Sequence, residues 1–148
     1  MKVRLVIVLA GALLAAACSS NPAETLSPSA AAQQYSGTAL GVDAAYLQWK
    51  AATAGARQVS QITAPAAAYA AALTSFDDAL AKMPVGGQSA TDIPTLLSAD
   101  QVVIADLNAA GNQTAGTLAG WARQLAADGA KAISASKVVR ADFGLPPA

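Results

Sequence analysis

Tyr69, Leu73, Phe76, Leu80 and Met83 fall at spacings of four, three, four and three residues, which places all five on one face of an α-helix and on no single face of a strand. Such a stripe is the seam of a helix that packs against partners. No stretch of the chain alternates apolar and polar residues over strand length, and alanine, the best helix former, dominates. The spacing predicts a first helix over about Val42 to Gln61, with Val42, Tyr46, Trp49, Thr53 and Ala56 on one side. Pro65 is placed as the first-turn proline of the Tyr69 helix, which Pro84-Val85-Gly86-Gly87 stops. A third helix is expected from Thr91-Asp92-Ile93-Pro94 to Gly111-Asn112, with Ile93, Leu97, Ile104 and Leu107 inward and Leu96 and Val103 beside them. A fourth covers about Thr114 to Asp142, with Leu118, Trp121, Leu125, Ala132 and Phe143 on one side. Short connections make consecutive helices antiparallel. The expected fold is therefore all-α, an up-down-up-down bundle of three to four helices over residues 41–148. Its middle layer would hold Trp49, Phe76, Asp100 and Leu125, with Trp121 one turn away.

The N-terminus carries a different instruction. Two basic residues, Lys2 and Arg4, precede an uncharged run from Leu5 to Ala17, thirteen residues long. As a helix that run spans about 20 Å, short of a hydrocarbon core of about 30 Å, and reads as a secretion signal over residues 1–17. Leu14-Ala15-Ala16-Ala17-Cys18 resembles the lipobox of bacterial lipoproteins, in which the cysteine after the cut receives a diacylglycerol. The lipobox prefers Leu where this chain has Ala15, and Ala15-Ala16-Ala17 also satisfies ordinary signal cleavage. Cys18 is the only cysteine, so no intrachain disulfide can employ it. Cleavage before Cys18 leaves 131 of the 148 residues. Residues 18–40, rich in Ser and Pro at their start, are read as a lipid-anchored flexible tether, with Ala30 to Tyr35 either an extra helical turn or more linker.

Chemistry is constrained chiefly by absence. Without histidine there is no imidazole base, metal ligand or haem ligand. An acylated Cys18 removes thiolate chemistry, and neither a Gly-rich phosphate loop nor a Gly-x-Ser-x-Gly elbow is present. No metal, cofactor or catalytic residue is expected. Nine basic residues balance nine acidic ones, and loss of Lys2 and Arg4 leaves seven against nine, so no basic footprint for nucleic acid exists. Asp77-Asp78 is read as a solvated face, because neighbours on a helix diverge by about 100°. Asp100 stands out, since helical phase puts it inside the Ile93/Leu97/Ile104 stripe, where a lone carboxylate would be costly. Its expected partners are Lys50, Arg123 or the indole N–H of Trp49 or Trp121, and Asp100, Trp49 and Trp121 form the candidate polar site. The alternative for Asp100 is a structural pair or an edge position. Arg140 is read as structural, snorkelling near a helix end.

The stretch from Ala44-Ala45-Tyr46-Leu47 through Phe76-Asp77-Asp78-Ala79-Leu80, and the ending Val138-Val139-Arg140-Ala141-Asp142-Phe143-Gly144-Leu145-Pro146-Pro147, resemble Ala-rich exported lipoproteins of actinobacteria, mycobacteria especially. That resemblance implies a helical domain in the cell envelope, with its lipid in the outer leaflet of the cytoplasmic membrane. It brings no catalytic residues.

Two readings of function follow. The first is a non-catalytic interaction module, anchored to the membrane through lipid on Cys18 and presenting an apolar patch, including Tyr35, Val102 and Val138, to an envelope partner. The second is a carrier of a small apolar or lipidic ligand, with Gly116, Gly120 and Gly129 leaving room near the tryptophans. The first is favoured because Ala-rich helices tend to close up.

Overall fold

A computed structural model of the chain describes residues 25–146, which hold four α-helices and no strand. The segment read as a secretion signal, and Cys18 after it, lie outside the described residues. Helix α1 (Pro28–Thr53) starts at a strong N-terminal signal. Ser27 is extended and its hydroxyl accepts a hydrogen bond from the Ala30 amide at 3.3 Å, while Pro28 occupies the first turn, where a missing N–H is harmless. Ala31 and Tyr35 on this first stretch are each only 2 % exposed. The tether expected over residues 18–40 is therefore corrected from Pro28 onward. The Ser-Pro pair that reads as linker is a cap and a first-turn proline, and burial of Tyr35 fixes the helix behind it.

Helix α1 ends at Thr53 rather than near Gln61, because Gly55 turns the chain with φ +95°. Only glycine adopts that conformation at little cost. Gly55→Ala is expected to destabilise the protein by about 1 kcal/mol, read as an earlier urea midpoint. An unchanged midpoint would show that the turn relaxes to another geometry.

Helix α2 (Val59–Ala81) begins before Pro65, which lies inside it. Gln61 explains the early start: its side-chain oxygen accepts from the amides of Gln58 at 3.0 Å and Arg57 at 2.8 Å. Ile62 and Ala66 then bury on the Leu73 face, which outweighs the one backbone bond that Pro65 cannot make. Helix α3 (Ser89–Asn108) similarly carries Pro94 past its first turn, and a 3₁₀ turn, Ala109–Asn112, extends it. Its buried stripe is Ile93, Leu96, Asp100, Val103 and Leu107, so Leu96 and Val103 point inward while Leu97 and Ile104 are half-buried. Helix α4 (Leu118–Asp142) ends on Phe143 and Gly144.

The helices form an all-α bundle whose substantial packing runs between consecutive helices, α1 on α2, α2 on α3 and α3 on α4. Cross-helix pairs give the antiparallel sense: Tyr35 meets Phe76 while Tyr46, further along α1, meets Tyr69, earlier on α2. Two apolar clusters fill the interior. One gathers Tyr35, Phe76, Leu80, Met83, Ile93, Leu96, Val139 and Phe143, and the other Ile62, Ala66, Ala70, Leu73, Val103, Leu107, Ala110 and Ala132. The most deeply buried large side chains are Tyr35, Leu80, Leu96, Leu107 and Val139. The core centre is therefore not the Trp49/Phe76/Asp100/Leu125 layer expected from sequence. Tyr35, expected on an outer patch, belongs to the core, whereas Val102 and Val138 are exposed.

Candidate functional site

Helices α1 and α4 are the outer members of the row, and no packing comparable to that of the consecutive pairs joins them. Their side chains bridge at two levels. Near one end the Tyr35 hydroxyl shares a hydrogen bond of 2.9 Å with the Ser136 hydroxyl, and Tyr35 packs edge-on against Phe76 and Phe143 at 5.5 Å and 5.6 Å between ring centroids. Towards the other, Trp49 and Trp121 meet edge to face, 6.1 Å apart at 87°. The Trp121 indole is fixed by a 2.7 Å hydrogen bond that Nε1 donates to the Asp106 carbonyl. These large residues prop the outer helices, while Ala122, Ala126, Gly129 and Ala130 on the facing stretch of α4 are too small to reach across.

The space left is a cleft of about 700 Å³. Val42 and Tyr46 form its α1 wall, and Tyr69, Leu73, Phe76, Leu96 and Val103 its floor. Six of the chain's seven aromatic residues line it, and the seventh, Phe143, backs Tyr35. The expectation that small residues would let the helices close is thus corrected: small residues close an interface only where no larger neighbour holds the axes apart.

The three sequence-predicted site residues in the described region, Asp100, Trp49 and Trp121, all line this cleft. Asp100 lies on its floor, 4 % exposed, at the seam between the two apolar clusters. Its neighbour is none of the partners expected. Among the described residues the one ion pair joins Lys131 to Asp128, at 2.7 Å, and the Trp121 indole donates elsewhere. Instead Asp100 faces the carboxyl of Asp77 within hydrogen-bonding reach. Asp77 is buried, not on a solvated face as its pairing with Asp78 suggests. Its register one residue past Phe76 turns it inward, and this is the buried acid that sequence reasoning missed. The available signal was the 3.6-residue phase, since Leu73, Asp77 and Leu80 share a face as readily as Leu73, Phe76 and Leu80.

Burial pushes the Asp77 carboxyl up to about 7, with the negative charge of Asp100 as the next cause. Burial also raises Asp100, while the hydrogen bond from Asp77 works the other way. Both carboxyls are thus pushed towards the protonated form, and the titration of one depends on the charge of the other. Burial, reinforced by Asp100, lifts the Tyr69 phenol to about 12, and Tyr35 is raised by burial as well, so both stay neutral. Arg140 lines the cleft, and its Nε donates to the Pro146 carbonyl at 2.9 Å, in keeping with a structural role at a helix end.

Among the described residues no cluster of three or more acidic, Cys or His side chains could hold a metal ion, and no helix is long and apolar enough to cross a membrane. No protein family matches the chain, and neither a curated protein nor a solved structure is significantly similar to it.

Proposed function

We propose that this chain is a lipid-anchored envelope protein that carries one small apolar ligand in the cleft between α1 and α4. The carrying observation is the aromatic-lined cleft of about 700 Å³, within the range of roughly 300–1,000 Å³ typical of small-molecule sites. It favours the carrier over the interaction module. The exposed large apolar side chains (Leu40, Tyr46, Leu47, Val102, Ile133 and Val138) are spread over three helices, and Tyr46 and Ile133 among them line the cleft itself. The extracytoplasmic address rests on the basic start, the short apolar run and Cys18. No catalytic role is assigned to any residue.

Native mass spectrometry on protein extracted gently from host membranes, beside a Cys18→Ala variant, tests both halves. The expected species begins at Cys18, carries acyl mass that the variant lacks, and holds a further apolar molecule released on denaturation. An unacylated chain in the medium would remove the anchor. A ligand-free species that also fails to bind the apolar dye N-phenyl-1-naphthylamine would remove the carrier and return the interaction module to first place.

A further inference from the structure

We infer that the cleft selects a cationic amphiphile, an ammonium group on an apolar body, with the ammonium seated against the Asp100 carboxyl, which Asp77 backs. The inference rests on the carrier reading and names its ligand class. Three observations carry it.

Asp100 is buried on the cleft floor without a basic partner, and Asp77 Oδ1 is buried with no hydrogen-bond partner. Buried acids left this way are costly, and Asp100 lines the cleft, where a ligand group can reach it. An ammonium donor supplies hydrogen bonds and opposite charge together, which a hydroxyl or amide does only in part.

The surrounding rings suit a cation. Tyr35 and Tyr69 lie close enough to feel the Asp100 charge, and Phe76 borders Asp77 in the chain. Aromatic faces attract an ammonium through their quadrupole, and the attraction grows when water is excluded. The same rings, with Leu73, Leu96 and Val103, bury an apolar body.

The charge balance of the lining disfavours an anion. Its charged members are Asp43 on α1, Asp100 on α3 and Arg140 on α4, with Asp77 of α2 behind Asp100. Arg140 sits one helical turn beyond Ser136, at the Tyr35 end, and its guanidinium already holds the Pro146 carbonyl. A carboxylate head would therefore meet two or three acids for one engaged arginine.

The test uses three probes with one tail, dodecylammonium, dodecanol and dodecanoate, each competing with N-phenyl-1-naphthylamine on the purified protein below micelle-forming concentrations. Dodecylammonium should bind at least about tenfold tighter than dodecanol, the discrimination expected for a hydrogen bond to a charged group. Dodecanoate should bind weakest. In an Asp77→Asn/Asp100→Asn variant, which removes the charge and keeps the shape, the amine preference should vanish while dodecanol binding persists. Equal binding of amine and alcohol to the native protein would overturn the inference and leave the carrier standing. Preference for dodecanoate would also overturn it and shift head-group recognition to Arg140. Retention of the amine preference in the double variant would overturn the assignment to this pair and show that other groups select the cation. Failure of all three probes and of the dye would overturn the inference together with the carrier reading beneath it.

Discussion

Asp77→Asn is expected to raise the stability of the protein at pH 8 by roughly 2–4 kcal/mol, and to flatten a pH profile that in the native protein slopes the opposite way from that of most proteins. The Asp77 carboxyl is pushed up to about 7 in the folded chain against an ordinary value of 3.8, by burial and then by Asp100. A carboxyl whose folded value is raised binds its proton more tightly in the fold than in the unfolded chain. Its stabilising contribution is complete below about pH 4 and is lost as pH rises through about 7. Asp100 of α3 shifts in the same direction. The other titratable groups facing the pair are Tyr35 of α1 and Tyr69 of α2, both raised and therefore neutral across this window, while Asp78 of α2 adds negative charge and Arg140 of α4 lies towards the Tyr35 end.

Two further acid pairs span α3 and α4. Asp106 faces Asp128 and Asp92 faces Asp142, with Asp106 and Asp142 also raised by burial. Asp128 runs the other way, held low by Lys131 and Gln124, so it favours the fold at higher pH and partly offsets the trend. Urea unfolding at pH 4.5, 6 and 8 reads the sum. Stability that climbs steadily from pH 4.5 to 8 in the native chain, or an Asp77→Asn variant no more stable at pH 8, would mean the pair is solvated.

Gly129→Phe is expected to abolish dye and ligand binding, by on the order of a hundredfold or more, while leaving the fold intact or firmer. A Cβ built on Gly129 meets no atom within 4 Å, and the residue sits halfway along α4 in the stripe that lines the cleft. Removing a mid-helix glycine favours the helix by up to about 1 kcal/mol, and the ring would occupy the space between the outer helices. Gly129→Ala is the companion variant. It should gain helix stability and keep binding, because one methyl group barely reduces a volume of about 700 Å³. If the phenylalanine variant binds as the native protein does, the ligand enters elsewhere and the cleft is not the site.

The sequence made some of this legible and hid the rest for identifiable reasons. The 4-3-4-3 stripe of α2 was readable because a period needs no partner to be seen, and Leu73, Phe76, Leu80 and Met83 are all buried. Asp100 was readable as an intruder for the same reason. Its companion was not, because Asp77 and Phe76 both fit an inward phase and only packing decides how many adjacent positions a wide interface buries. Helix starts were misjudged where proline was given too much authority. Pro65 and Pro94 lie inside their helices, and Pro28, passed over as linker, opens one. The cleft itself was the least legible feature. Alanine stripes on α4 fit a close-packed helix pair equally well, and the difference comes from Tyr35, Trp49 and Trp121 bridging across, contacts as long-range as the 101 positions between Tyr35 and Ser136.

The early start of α1 also sets a working distance. The Leu26 amide donates to the Pro84 carbonyl at 2.7 Å, pinning the chain's approach to the loop between α2 and α3. A lipid on Cys18 would then be separated from that pinned point by the seven residues Ser19 to Thr25. Even at full stretch they allow about 30 Å of standoff. If Cys18 carries the proposed lipid and the cleft the proposed ligand, a protein on so short a leash could not ferry cargo across the envelope. On the proposed anchor it would act as a stationary receiving post whose ligand must come to it.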